Sequence, residues 1–271
     1  MSSSSKRITL TKPDGVEITV KIVKPAKPSG TILFVHGLCS DLSCWKYQQK
    51  HCGKTYRTIS FDLRRREPFT FQVFVDDILF LLKELNVSSF IWVGADLGGL
   101  IGITYVASSS TFYPNVEKLV LVNSNPYLIS DKEDWPYSVF TLKQFNNIRN
   151  VLQSNLEYFA TQWTDFIHTT PVSSSLRSYT YDTFLKVGSE VFEKTLNSCG
   201  KENLIPLLPK VSVKTLIIFG SKSLLAPKGS QGFLLEDLPD AHIYEVYEAS
   251  SLPYLTHSDE FNTVLSFFLQ R

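Results

Sequence analysis

The sequence predicts an α/β protein built on a mostly parallel, doubly wound sheet. Two observations carry that expectation: short, β-branched apolar runs recur along the chain, and segments of helical apolar period separate them. A third bounds it. With 271 residues, 43% of them hydrophobic, the chain can bury one large core and carry an appended subdomain.

"VEITVKIV" alternates with a period of two and reads as an antiparallel strand. "TILFV", "YRTISF", "FIWV", "KLVLV", "KTLIIF" and "HIYEVY" are short buried runs ending in turn or polar residues, as parallel strands do. Phe74, Ile78, Leu81, Leu82 and Leu85 define one helical face, with Asp76, Asp77, Lys83 and Glu84 mostly off it. A final helix, about Asp259 to Leu269, repeats the pattern with Phe261, Leu265 and Phe268. From about Pro126 to Pro206 no strand follows, and "KQFNNIRNVLQSNLEYFATQWTDFI" is helical in pattern, a block too long for a loop. Residues 1–125 and 207–271 are therefore read as the core and 126–206 as a helical cap, broken in two by "HTTPVSSSLRS".

Composition excludes several function classes. A net charge of +1 gives no global field toward nucleic acid or acidic membranes, and Arg64-Arg65-Arg66 reads as a solvated turn. Cys39, Cys44, Cys52 and Cys199 fit neither a zinc spacing nor a disulfide framework, so they read as free thiols in a reducing compartment. "MSSSSKRITL" lacks the apolar core of a signal peptide, and no run approaches the roughly 20 residues of a membrane span. The expectation is a cytoplasmic protein with no metal and no cofactor, because phosphate loops and dinucleotide fingerprints are also missing.

The segment with chemical content is "GADLGG", Gly94 to Gly99, which follows a buried strand and opens a helix carrying Leu100, Ile103 and Tyr105. Small residues permit a sharp strand–turn–helix, and the central residue, Asp96, projects at a helix N-terminus. The dipole and free amides there favour an ionised carboxylate facing a cleft.

Other segments stand in a telling order. His36-Gly37 follows a strand in "TILFVHGLCSDLSCW", Asp62-Leu63-Arg64 ends another, Gly220 precedes Pro227 by seven residues, and "VYEASSLPYLTHSDEFNTVLSFFL" closes the chain. Together these resemble the α/β-hydrolase superfamily over nearly the whole chain, with the Pro126–Pro206 block as its cap or lid. The resemblance implies that the nucleophile position is Asp96, as in the epoxide hydrolase and dehalogenase branches, where a carboxylate attacks carbon and a histidine-activated water hydrolyses the ester. It implies an oxyanion hole from the amides of Leu38 and Leu97.

Two positions depart from the family. Its acid corresponds to Ser223 and its histidine to Ser251, so neither can do that job. "DLRRREPF" also lacks both glycines of the family's "D-x-R-G-x-G" turn. Losing a positioned base costs about 10²–10⁴ in rate. Around the cleft, His36 is expected to shape the oxyanion loop, and Trp163 and His168 of the cap to reach the pocket. Arg64 either reaches its rim or pairs with Asp62 or Glu67. His257 is expected to lie at the surface or to cap the last helix, and Cys39 to be a small buried residue.

Two functions remain open. One is a catalytically degenerate α/β-hydrolase-fold protein that binds a small apolar ligand or a protein partner through the retained cleft. The other is an active, cofactor-independent enzyme, hydrolase-like or lyase- or oxygenase-like, that uses Asp96 as nucleophile or base.

Overall fold

A computed structural model describes residues 4–131, 133 and 135–271. Met1–Ser3, in the run of serines, and Lys132 and Asp134, in the predicted cap, lie outside the described residues. An eight-stranded sheet forms in the order β1-β2-β4-β3-β5-β6-β7-β8. Its strands are β1 (Ser4–Thr11), β2 (Glu17–Lys24), β3 (Thr31–Val35), β4 (Arg57–Phe61), β5 (Ser89–Ala95), β6 (Asn115–Val122), β7 (Lys214–Gly220) and β8 (Ala241–Val246). β2 is antiparallel to both neighbours, as its alternation predicts, and β3 to β8 run parallel.

The helices are α1 (Lys46–Cys52), α2 (Phe71–Glu84), α3 (Leu97–Ala107), α4 (Leu142–Ser154), α5 (Leu156–Ile167), α6 (Ser174–Val187), α7 (Ser189–Ser198), α8 (Lys228–Asp237), α9 (Pro253–Thr256) and α10 (Ser258–Gln270). Two apolar clusters cover the sheet. One takes Phe74, Ile78, Leu81 and Leu82 of α2 together with Leu100 and Ile103 of α3; the other takes Trp45 with Phe261 and Leu265 of α10. Helices α4 to α7 lie between β6 and β7, and the "HTTPVS" break falls between α5 and α6. Phe159, Trp163, Phe184 and Phe192 hold α5, α6 and α7 together through ring contacts of 5.0–6.2 Å.

The strand order positions the site. From β3 the chain moves to β4 on one side and then to β5 on the other, so β3 and β5 lie side by side. The crevice beyond their carboxyl ends is the topological switch point of such a sheet. The loop after β3 (Gly37 to Ser40) and the turn after β5 (Asp96) meet there.

Three expectations need correction. "HIYEVY" was predicted as a buried run, but β8 is an edge strand whose His242 and Ile243 are exposed. Arg64 is not solvated: it is 6% exposed and forms a bidentate pair with Asp77 through Nε and Nη2 at 2.6 and 2.7 Å. Neither predicted partner takes it, because Asp62 accepts from the Leu42 amide and Glu67 pairs with Lys194. Asp77, placed off the apolar face of its helix, is also buried, because Lys12 from the β1–β2 turn joins the pair. β1 itself was not foreseen in a stretch read only for targeting signals.

Candidate active site

Asp96 sits between β5 and α3 with φ 47° and ψ −115°, a left-handed conformation that non-glycine residues avoid at a cost of roughly 1–3 kcal/mol. Close packing of small residues holds it there. A Cβ on Gly94 would lie 2.3 Å from the Gly98 carbonyl, and one on Gly98 would lie 2.3 Å from the Val35 carbonyl. The Trp92 indole N–H fixes Gly98 O at 3.0 Å, and the Ser124 hydroxyl donates to Asp96 O at 3.2 Å.

The two amides expected to form an oxyanion hole both face this carboxylate. Leu38 N donates to Asp96 Oδ2 at 3.0 Å, and the amides of Leu38 and Leu97 pull its pKa down. Burial outweighs them and pushes the group up to about 6. The sequence suggested a carboxylate comfortably ionised at a cleft. The correction is that Asp96 is buried, and two backbone dipoles do not replace its lost hydration.

That shift has a consequence for stability. A carboxyl whose folded pKa is raised from about 3.8 to about 6 is tolerated fully below pH 3.8, and its stability is lost as pH rises through 6. Between those two values the penalty at pH 7.5 amounts to about 3 kcal/mol. Asp96→Asn is therefore expected to raise the melting temperature at pH 7.5, the gain disappearing near pH 4. Thermal scans of both proteins across that range check it, and a gain independent of pH would contradict it.

The two serines expected at the acid and histidine positions come together. Ser223 Oγ and Ser251 Oγ are 3.2 Å apart and both are buried. Asn123 steadies their loops, donating from Nδ2 to Ser251 O at 2.8 Å and accepting from Gly220 N at 3.0 Å. Next door, Ser250 Oγ bonds Thr169 Oγ1, Thr170 N and Thr170 Oγ1 at 2.8–3.1 Å, while Ser251 N donates to Ile167 O at 3.3 Å. These hydroxyls fasten the α5–α6 connection to the core.

Asp96 and Ser251 line one cavity of about 30 Å³, room for one or two water molecules. Trp163 and Thr180 wall it from the cap, and Leu225, Leu252 and Tyr254 from the core. The sequence singled out Trp163 but not Tyr179, Thr180, Thr183 or Tyr254. These carry no motif and become site residues only through the packing of cap on core.

The remaining candidates divide. His36 Nε2 accepts from Leu63 N at 2.9 Å, so Nδ1 holds the proton and donates to Gly37 O at 2.8 Å. The ring braces the loop that delivers Leu38, and burial lowers its pKa. Arg64 lies with His36 against a separate cavity of about 20 Å³ on the other side of that loop. His168 is buried, bonds Thr180 Oγ1 at 2.8 Å through Nε2 and has a pKa pushed down to about 4 by burial. It does not line the Asp96 cavity. His257 stands at the N-terminus of α10, and Cys39 is buried with its pKa raised far by burial. Among the described residues no imidazole hydrogen-bonds Asp96, all four cysteines are free, and no group of three His, Cys, Asp or Glu is placed to hold a metal. No helix among them is long and apolar enough to cross a membrane.

Residues 30–255 match the sequence profile described as alpha/beta hydrolase fold. The chain is 26% identical over 251 residues to the probable esterase D14L of Oryza sativa subsp. japonica, covering 85% of this chain and 88% of that one. It is 25% identical over 242 residues to the karrikin insensitive 2 receptor CA of Petunia hybrida, with 84% and 87% covered. In structure it is similar to an esterase from Exiguobacterium antarcticum (TM-score 0.89, 18% identity, 98% of this chain and 100% of that one). A bromoperoxidase from Bacillus anthracis is also similar (TM-score 0.87, 22% identity, the same coverage).

Proposed function

The chain belongs to the alpha/beta hydrolase fold family, and on that premise we propose that it is a catalytically degenerate member that binds a small, mostly apolar ligand beneath its cap without hydrolysing it. The placement of Asp96 carries this proposal. Its carboxylate occupies the Leu38 amide that would otherwise receive a substrate oxygen, and a developing oxyanion would meet a like charge there. Ser251 and Ser223 bond each other, so the position expected to activate water offers a hydroxyl with no base beside it. Relatives named as a probable esterase and as a karrikin insensitive 2 receptor support a binding role on this fold.

One observation favours a second assignment. A carboxyl titrating near 6 is tuned for general-base work at neutral pH. Asp96 would then abstract a proton from a bound ligand in cofactor-independent, non-hydrolytic chemistry. The cavity of about 30 Å³ weighs against it, since a substrate must first displace the walls.

Incubation with p-nitrophenyl esters, epoxides and haloacids is expected to give no turnover above an Asp96→Ala control. Turnover that the control abolishes would establish the enzyme and overturn the degenerate assignment.

A further inference from the structure

Trp163 lines two spaces at once. One is the cavity of about 30 Å³ over Asp96; the other is a groove of about 360 Å³ within the cap, lined also by Phe140, Ile148, Phe159 and Phe166. The first is too small for any organic ligand, while the second falls within the 300–1,000 Å³ range of ligand pockets. Only this side chain is common to both.

The cap is anchored close by. Ile167 O accepts from Ser251 N, and Thr169 and Thr170 are bound to Ser250, so the end of α5 is fixed on the core one turn after Trp163. With that backbone held, a ligand reaches the Asp96 cavity from this side by parting the indole from Phe166, Phe184 and Phe192, and the groove has the volume to receive it. Trp163 is 4% exposed, so what little of it is accessible faces these two spaces.

We infer that Trp163 is a gating and specificity-determining residue, and that its displacement joins the Asp96 cavity to the cap groove to form one chamber for a neutral, mainly apolar molecule. The charge of the occupant follows from the carboxylates. Asp165 at the groove is neutralised by Arg177, whereas Asp96 has no cationic partner among the described residues and repels an anion that reaches it. The inference rests on the binding role proposed above and names its ligand class.

The test uses Nile red, a neutral dye with a carbonyl, and the anionic dye 1-anilinonaphthalene-8-sulfonate, titrated at pH 7.5 against the full chain. Trp163→Ala is expected to bind Nile red at least about tenfold more tightly than the unaltered protein and the anionic dye with a smaller gain. Adding Asp96→Asn is expected to restore the anionic dye's gain, because the joined chamber brings it to that carboxylate. Trp163→Leu, which leaves the aromatic cluster better filled, gives the same order of affinities if Trp163→Ala does not fold. A folded variant with no gain for Nile red, or dyes indifferent to Asp96→Asn, would overturn the gate. Asp96-dependent turnover of an ester would overturn the degenerate assignment and leave the dye result standing, so the two failures are distinguishable.

Discussion

A chain carrying Asp96→Ser, Ser223→Asp and Ser251→His together is expected to hydrolyse p-nitrophenyl acetate at least about 10²-fold faster than the unaltered protein, the lower bound set by what a positioned base contributes. Three features make the scaffold receptive. The turn at residue 96 keeps the left-handed backbone and its glycine packing, so a serine there would project where the carboxylate does now. Exchanging the carboxylate for a hydroxyl frees the Leu38 and Leu97 amides for a substrate oxygen, and such donors are worth about 10²–10³ in kcat when removed from working enzymes. The 3.2 Å separation of the two serine hydroxyls puts a new carboxylate within reach of a new imidazole. Asp96→Ser alone is expected to stay inert, since a hydroxyl without a base is a weak nucleophile at neutral pH. Because the cavity is about 30 Å³, shortening Trp163 as well is expected to raise the triple variant's turnover and to admit an octanoyl ester. A folded triple variant with no burst and no steady turnover would show that the hydrolytic geometry is lost beyond these three positions.

Asp77→Asn is expected to destabilise the protein by about 3–5 kcal/mol, the cost of leaving a buried charge without its partner. Asp77 is the shared acceptor of Arg64 and Lys12, and the Arg64 and Asp77 side chains are only 2% and 3% exposed. The exposed Asp14, 3.8 Å from each cation, compensates little. Urea titration should show a lower midpoint at unchanged slope, the signature of lost stability with the same surface exposed. Replacing the pair together, as Arg64→Met with Asp77→Leu, is expected to recover most of the loss, because apolar groups carry no desolvation cost. If the single variant were as stable as the parent, the cluster would be electrostatically idle.

Much of this was legible along the chain. The "GADLGG" turn, the buried parallel strands and the helical break between β6 and β7 are each set by contiguous residues, through period, chain direction and the small side chains a sharp turn demands. The serines at 223 and 251 were legible only through the family's spacing, and the sequence offered nothing to say that their hydroxyls meet. Arg64-Arg65-Arg66 read as a solvated turn because nothing adjacent announces Asp77, thirteen residues from Arg64.

What the sequence determined by itself is therefore the class of fold and the identity of the residue at the elbow, because periodicity and local sterics act between neighbours. Tertiary structure alone decided that Asp96 is buried against an amide 58 residues away, that packing of α5 and α6 leaves a cavity the size of a water or two, and that Trp163 also lines a larger groove. Desolvation and packing volume arise only when distant segments meet, and they cannot be read from either segment on its own.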